Sequence, residues 1–233
     1  MDSFAAPRPD RIAPGSFPAG AIPLAIPPEA ASARLAFDRA LEAARALHAA
    51  LPAMAAFQPW PEDLTWAGRH GSSVPGAALL ASDPGQAAAG GPAAAEVRAL
   101  QEALAALAPH AEWRLTYTEA EVGADFLRRF GWFELAGPTG HFHSEQIRMT
   151  VGYWGRGLDY PWHQHGPEEL YCVLSGQATF LAEGEAPLVL TPGDTRLHAA
   201  NQPHAMVTGD APILCFVLWR GEGLAEDPRM SAS

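Results

Sequence analysis

Apolar residues recur along this chain at two periods, and the change from one to the other falls near residue 130. From Glu29 to Leu51, the positions Leu35, Phe37, Leu41, Ala44, His48 and Leu51 follow at steps near three and four, the spacing that lines one face of a helix. Pro52 closes that stretch, since proline removes a backbone donor. A second helix is predicted from Ala93 to about Ala108, with Val97, Leu100, Leu104 and Leu107 on one side. A third starts at Thr118, where Glu119 and Glu121 suit the positive end of a helix dipole. It runs to about Phe130 with Val122, Phe126 and Leu127 facing inward. Between the first two helices, the Gly and Pro content of GRHGSSVPGAALLASDPGQAAAGGP reads as a long connection.

Beyond Gly131 the period shortens to two, and turn residues punctuate it. The predicted strands are Gln146 to Trp154, Leu158 to His165, Glu169 to Leu174, Gln177 to Ala182, Ala186 to Leu190, Thr195 to His198, Ala205 to Thr208 and Pro212 to Trp219. Turns are placed at Ser175-Gly176, Glu183-Gly184, Pro192-Gly193-Asp194 and Gly209-Asp210. Eight short strands fit a jelly-roll barrel, whose two sheets hide each other's edges. The chain is thus predicted to be mainly β, a barrel at 131–233 with an α-helical N-terminal region at 29–130. Ahead of these lies a proline-rich arm at 1–28, either flexible or strapped to the body by Phe17, Ile22, Leu24 and Ile26. The three helices either cap one end of the barrel or pair with a second chain; a homodimer is one expectation, and the sequence leaves it open.

Composition narrows the partners. Apolar residues make up 48% and charged residues 18% of 233 positions, the balance of a chain with a packed core. A net charge of -11 and a pI near 5.2 argue against a nucleic-acid partner or an anionic membrane. The two cysteines, Cys172 and Cys215, sit in apolar runs and read as buried small hydrophobes in a reducing compartment. With no basic start before an apolar core, and no run of about eighteen apolar residues, a cytoplasmic location is expected.

The chemistry concentrates in GLDYPWHQHGPEELYCVLSG, residues 157–176. Strand alternation puts His163 and His165 on one face, and Glu169 and Tyr171 on one face of the next strand. Two imidazoles and a carboxylate make half a metal site, and His204 is available as a further donor. Such nitrogen and oxygen donors suit one divalent Zn, Fe, Mn, Ni or Co ion better than Ca or Mg. A lone strand histidine is most often a surface or packed residue, and His198 is read that way. His141 and His143, continued by Glu145, form a second H-x-H pair, expected to be a polar strand edge at the barrel entrance. His198 and Asn201 lie close enough to His204 in sequence to stand behind it. Tyr153 and Trp154 read as packing, and Trp162, out of phase with His163, as exterior.

The same stretch resembles the first motif of the cupin superfamily, carried by Gly157, His163, His165, Glu169 and Gly176. Gly193 and His204 match the second, although Ala199 and Asn201 stand where it usually has Pro and Gly, and Thr208 where it usually has Asn. The resemblance implies a cupin jelly-roll β-barrel with His163, His165, Glu169 and His204 as metal ligands. Tyr160, Tyr171 and Trp219 added to that set are similar to the cupin-type dimethylsulfoniopropionate lyases, over roughly Trp132 to Gly221. That narrower resemblance implies a lyase that splits a small zwitterion into dimethyl sulfide and acrylate. Tyr171 is then the candidate base and Tyr160 a second catalytic candidate; Tyr160 and Trp219 would hold the sulfonium by cation–π attraction. Two rivals share the donor set: an Fe(II) cupin dioxygenase, and a non-catalytic small-ligand-binding cupin.

Overall fold

The structure is a computed structural model describing residues 28–231 apart from 89 and 92. The arm, with Phe17, Ile22, Leu24 and Ile26, lies outside the described residues. Five α-helices are described: α1 (Pro28–Ala50), α2 (Pro52–Phe57), α3 (Pro75–Ser82), α4 (Ala94–Leu107) and α5 (Glu119–Arg129). The strands are β1 (Thr65–Trp66), β2 (Phe130–Gly137), β3 (Phe142–His143), β4 (Arg148–Trp154), β5 (Asp159–Gln164), β6 (Glu168–Ala182), β7 (Leu188–Leu190), β8 (Thr195–His198), β9 (His204–Arg220) and β10 (Arg229–Met230). This is the expected mainly β barrel with an N-terminal helical extension.

The long strands β6 and β9 pair antiparallel along nearly their whole length and organise the barrel. On its other edge β6 carries β7 and β8, while β9 carries β4 and β5 at opposite ends. Both strands are buried on both faces, so alternation divides their side chains between two cores. Leu170, Cys172, Leu174, Leu214, Phe216 and Leu218 face the helices. Tyr171, Val173, Ile213, Cys215, Val217 and Trp219 face the barrel interior. The two cysteines, both unpaired, therefore belong to different cores.

Helix α4 packs on α1 and buries the four apolar positions expected of it, Val97, Leu100, Leu104 and Leu107. In α1 the buried stripe is Phe37, Ala40, Ala44 and Leu47, and Leu35, expected to begin it, is 50% exposed. Ala40 and Leu47 continue the i, i+3, i+4 track from Phe37, whereas Leu35 falls off it. The expected capping signal before α5 is present, with Thr118 and Glu121 forming a reciprocal capping box. That helix is interrupted at Gly123, where φ is 80°.

Several boundaries differ from the sequence reading. Ser175-Gly176 and Gly209-Asp210 are not chain-reversing turns. They are facing irregularities within β6 and β9, where the register moves from Gly176↔Ile213 to Ala178↔Thr208. Four predicted strands are therefore two long ones. Helix α3 lies in the stretch read as a connection: Pro75 starts it at a position where a missing N–H costs nothing, and Leu80 buries it. Strand β2 begins directly at Phe130, where α5 was expected to end. Among the described residues no helix is long and apolar enough to cross a membrane.

Candidate metal centre and cavity

Register assembles the site. His163 on β5 lies directly opposite His204 on β9. Glu169 on β6 lies between His198 on β8 and Trp219 on β9, and Trp219 in turn pairs with Arg148 on β4. One rung of the barrel wall thus reads His198, Glu169, Trp219, Arg148, because directly opposed residues share a face.

The donor atoms of His165, Glu169 and His204 lie within 4.8 Å of one another, all three buried. Oε2 of Glu169 stands 3.1 Å from His165 Nε2 and 3.1 Å from His204 Nε2. The His204 nitrogen is buried without a well-aligned hydrogen bond. His163 stands alongside, its ring 4.1 Å from that of His204, though its nitrogens fall outside that 4.8 Å group.

Each imidazole is oriented by its own backbone. Nδ1 of His163 faces the Pro161 carbonyl at 2.8 Å, that of His165 the Pro167 carbonyl at 2.9 Å, and that of His204 the Gln202 carbonyl at 2.9 Å. A carbonyl can only accept, so Nδ1 carries a proton and Nε2 is the nitrogen turned to the site. Burial, helped by neighbouring His204, holds His163 well below its usual pKa, as a neutral imidazole. Burial opposes the Glu169 charge, but the imidazoles of His165 and His204 outweigh it and hold the carboxyl well below the usual range. Imidazole nitrogens around an ionised carboxylate are the donor chemistry of a divalent transition-metal site, and the buried His204 Nε2 without a well-aligned hydrogen bond fits it.

Trp219 donates its indole N–H to Glu169 Oε1 at 2.8 Å, and its ring stacks on His165 at 4.1 Å. His198 is fully buried, stacks on His204 at 4.2 Å and leaves both ring nitrogens unpartnered. Burial and then His204 hold it down at about 3. It is thus a packed residue, and one that backs the cluster.

Asn201 adopts φ 59°, a left-handed conformation that Asn tolerates better than most non-Gly residues. Its N–H donates to the His165 carbonyl at 2.8 Å. Thr208 accepts from the Leu158 N–H at 2.8 Å and donates to the Gly155 carbonyl at 2.6 Å, tying the start of β5 to β9.

Beside the cluster opens a small cavity lined by Glu169, Tyr171, Tyr160 and Trp219 from the expected set. Tyr160 stacks on His163 at 4.0 Å, and its hydroxyl shares a 2.8 Å hydrogen bond with that of Tyr117. Burial pushes the phenols of Tyr160 and Tyr171 well above 10, with the neighbouring Tyr117 phenol adding to the first and the Glu169 charge to the second.

The sequence reading missed Tyr117, Trp132, Arg148 and Thr150, and took Trp154 for packing; Trp154 lines this cavity together with Phe130, Trp132, Arg148 and Thr150. The signal available for Arg148 and Thr150 was their phase in β4, opposite to that of Met149, Val151 and Tyr153. Tyr153, as expected, packs on the helix side, and Trp162 is 43% exposed.

The H-x-H pair at 141 and 143 is not at the barrel entrance. His141 is buried on the helix side, stacked on Phe37 at 4.0 Å, and its Nε2 accepts the Glu112 N–H at 3.0 Å. His143 lies half exposed, 3.2 Å from Glu145. The alternate-residue spacing is real, but β3 is only two residues long and His141 precedes it.

Residues 86–215 match the dimethylsulfoniopropionate lyase family. The chain is 41% identical over 187 residues to the dimethylsulfoniopropionate lyase DddQ of Ruegeria pomeroyi, covering 80% of this chain and 90% of that one. The crystal structure of DddQ from Ruegeria pomeroyi superposes with a TM-score of 0.78 at 40% identity, over 84% of this chain and 96% of that chain. A chain from the crystal structures of the DMSP lyases RdDddP and RnDddQII gives a TM-score of 0.82 at 57% identity, over 86% of this chain and 100% of that chain.

Proposed function

This chain belongs to the dimethylsulfoniopropionate lyase family, and we propose on that footing that it cleaves dimethylsulfoniopropionate to dimethyl sulfide and acrylate. A base takes the proton from the carbon beside the carboxylate, the C–H electrons form the double bond, and the C–S electrons leave on a neutral sulfide. The observation that carries this reading is that Tyr171 and Glu169, two residues apart on β6, open into one cavity beside the converging imidazoles.

His163, His165, Glu169 and His204 would hold the divalent ion, Zn, Fe, Mn, Ni or Co. When bound it supplies a Lewis-acid charge that polarises the substrate carboxylate and acidifies the adjacent C–H. Tyr171 is the proton acceptor in this reading. Burial first, and the Glu169 charge second, oppose its ionisation; the second obstacle falls away once that charge is balanced. Tyr160 is the weaker candidate for base because its hydroxyl is already engaged with Tyr117, and it is better suited to shaping the cavity. Trp219 orients Glu169 through its indole N–H. Two unpaired buried cysteines support placing the enzyme in the cytoplasm.

The test is headspace detection of dimethyl sulfide from purified protein and substrate, before chelation, after it, and after reloading with each metal. Sulfide is expected only from loaded protein. Oxygen uptake without sulfide would transfer the assignment to a dioxygenase, and neither product would leave a binding protein.

A further inference from the structure

The cavity is electrically lopsided. Arg148 opens β4 and is 3% exposed, yet it lines the cavity in the same rung as Glu169 and Trp219. Its Nε donates to Glu134 Oε2 at 3.0 Å and its Nη1 to the Glu226 carbonyl at 2.8 Å; Nη2 has no partner among the described residues. Glu134 stands outside the cavity lining. It is also held by the Thr139 N–H at 2.8 Å, by the Thr139 hydroxyl at 2.7 Å and by Arg114 at 3.7 Å. Arg148 therefore brings its charge to the cavity wall, with the Glu134 carboxylate behind it and Asp227 also near enough to favour that charge.

That guanidinium lies 4.8 Å from the Trp219 ring centre and 5.0 Å from that of Trp132. Both rings already have a cation, and a second one approaching them would be repelled. Phe130, Trp154 and Tyr160 line the same cavity with ring centres 5.5 to 5.9 Å apart. None of the cation–π contacts among the described residues falls on these three rings. One wall thus offers an open N–H donor with positive charge, and another offers ring faces that attract an onium group.

Resting on the lyase reading above, we propose that Arg148 determines substrate specificity. Its Nη2 takes the carboxylate end of the zwitterion, and its charge turns the sulfonium away from Trp219 and Trp132 towards Phe130, Trp154 and Tyr160. Of the two onium contacts that the family resemblance implied, this keeps Tyr160 and replaces Trp219.

Removing Arg148 alone would strand the buried Glu134 charge, so the decisive variant is the double one, Arg148→Met with Glu134→Gln, beside Arg148→Lys. With folding checked by circular dichroism, the zinc-loaded proteins are titrated with acrylate, an anion alone, and with trimethylsulfonium, a cation alone, following quenching of tryptophan fluorescence. The double variant is expected to bind acrylate at least tenfold more weakly and trimethylsulfonium as well as, or better than, the parent. The lysine variant, which keeps the charge without the planar fork, falls between on acrylate. On dimethylsulfoniopropionate, KM rises at least tenfold and kcat changes much less. Unchanged acrylate affinity in a folded double variant, or equal weakening of both probes, overturns the proposal. A parent protein that releases no dimethyl sulfide overturns the lyase reading instead, and the two probe titrations still report on Arg148.

Discussion

The indole N–H of Trp219 donates to Oε1 of Glu169 at 2.8 Å, between residues directly opposite each other on β9 and β6. The bond leaves Oε2 facing His165 and His204. Partners that orient a ligand carboxylate typically change metal affinity by about 10–100-fold when lost. Trp219→Phe keeps an aromatic ring near His165 and loses the donor together with part of the indole's packing. Zinc affinity measured by chelator competition should fall by that factor, beyond what the lower melting temperature of the metal-free protein accounts for. Unaltered zinc affinity would leave Trp219 as packing alone.

Tyr171→Phe should lower kcat by about 10²–10⁴-fold, the usual contribution of a general base, while zinc binding persists. Tyr160→Phe should cost distinctly less, since that hydroxyl is shared with Tyr117. Single-turnover release of dimethyl sulfide decides it: a Tyr171→Phe enzyme retaining most of its rate would move the base elsewhere.

His141 links stability to pH at a distance from the site. Burial, the first cause, holds its folded pKa down to about 4, against about 6.5 in an unfolded chain. Between those values the unfolded chain takes up a proton that the native one refuses. Its contribution is therefore complete above pH 6.5 and is lost as pH falls towards 4, amounting to about 3 kcal/mol. His141→Phe should flatten the dependence of urea stability on pH across that window by about one proton. An unchanged slope would show that His141 is not the group responsible.

Gly176 has φ 73°, and a Cβ there would collide with the Pro212 carbonyl oxygen. Gly176→Ala combines a strained backbone with that collision, where β6 and β9 both bend. It should cost more than about 3 kcal/mol, read as a lower urea midpoint. Asn201→Gly, at φ 59°, should be nearly neutral, and Asn201→Val should cost about 1–2 kcal/mol. Equal effects of the two Asn201 changes would mean that the backbone conformation there is unimportant.

Much of this molecule was legible locally. The apolar stripe of α4, the capping box of α5 and the inward pairing of Glu169 with Tyr171 follow from periods of 3.6 and 2. They need no knowledge of what lies opposite. Where a strand is buried on both faces the run is apolar throughout and its phase is hidden, which is why β2 and the continuity of β6 and β9 escaped the sequence reading.

Residue type and spacing singled out His163, His165, Glu169 and His204 as candidate donors, and the family resemblance added Tyr160, Tyr171 and Trp219 as companions. Which groups stand across from them could not be read that way. Trp219 meeting Glu169, Arg148 meeting Trp219 and Tyr117 reaching Tyr160 depend on strand register and barrel closure. Those contacts join residues 43 to 71 positions apart along the chain, and no periodicity within a segment carries information about its partner. A sequence can state which side chains turn inward; only the closed barrel decides what each of them faces.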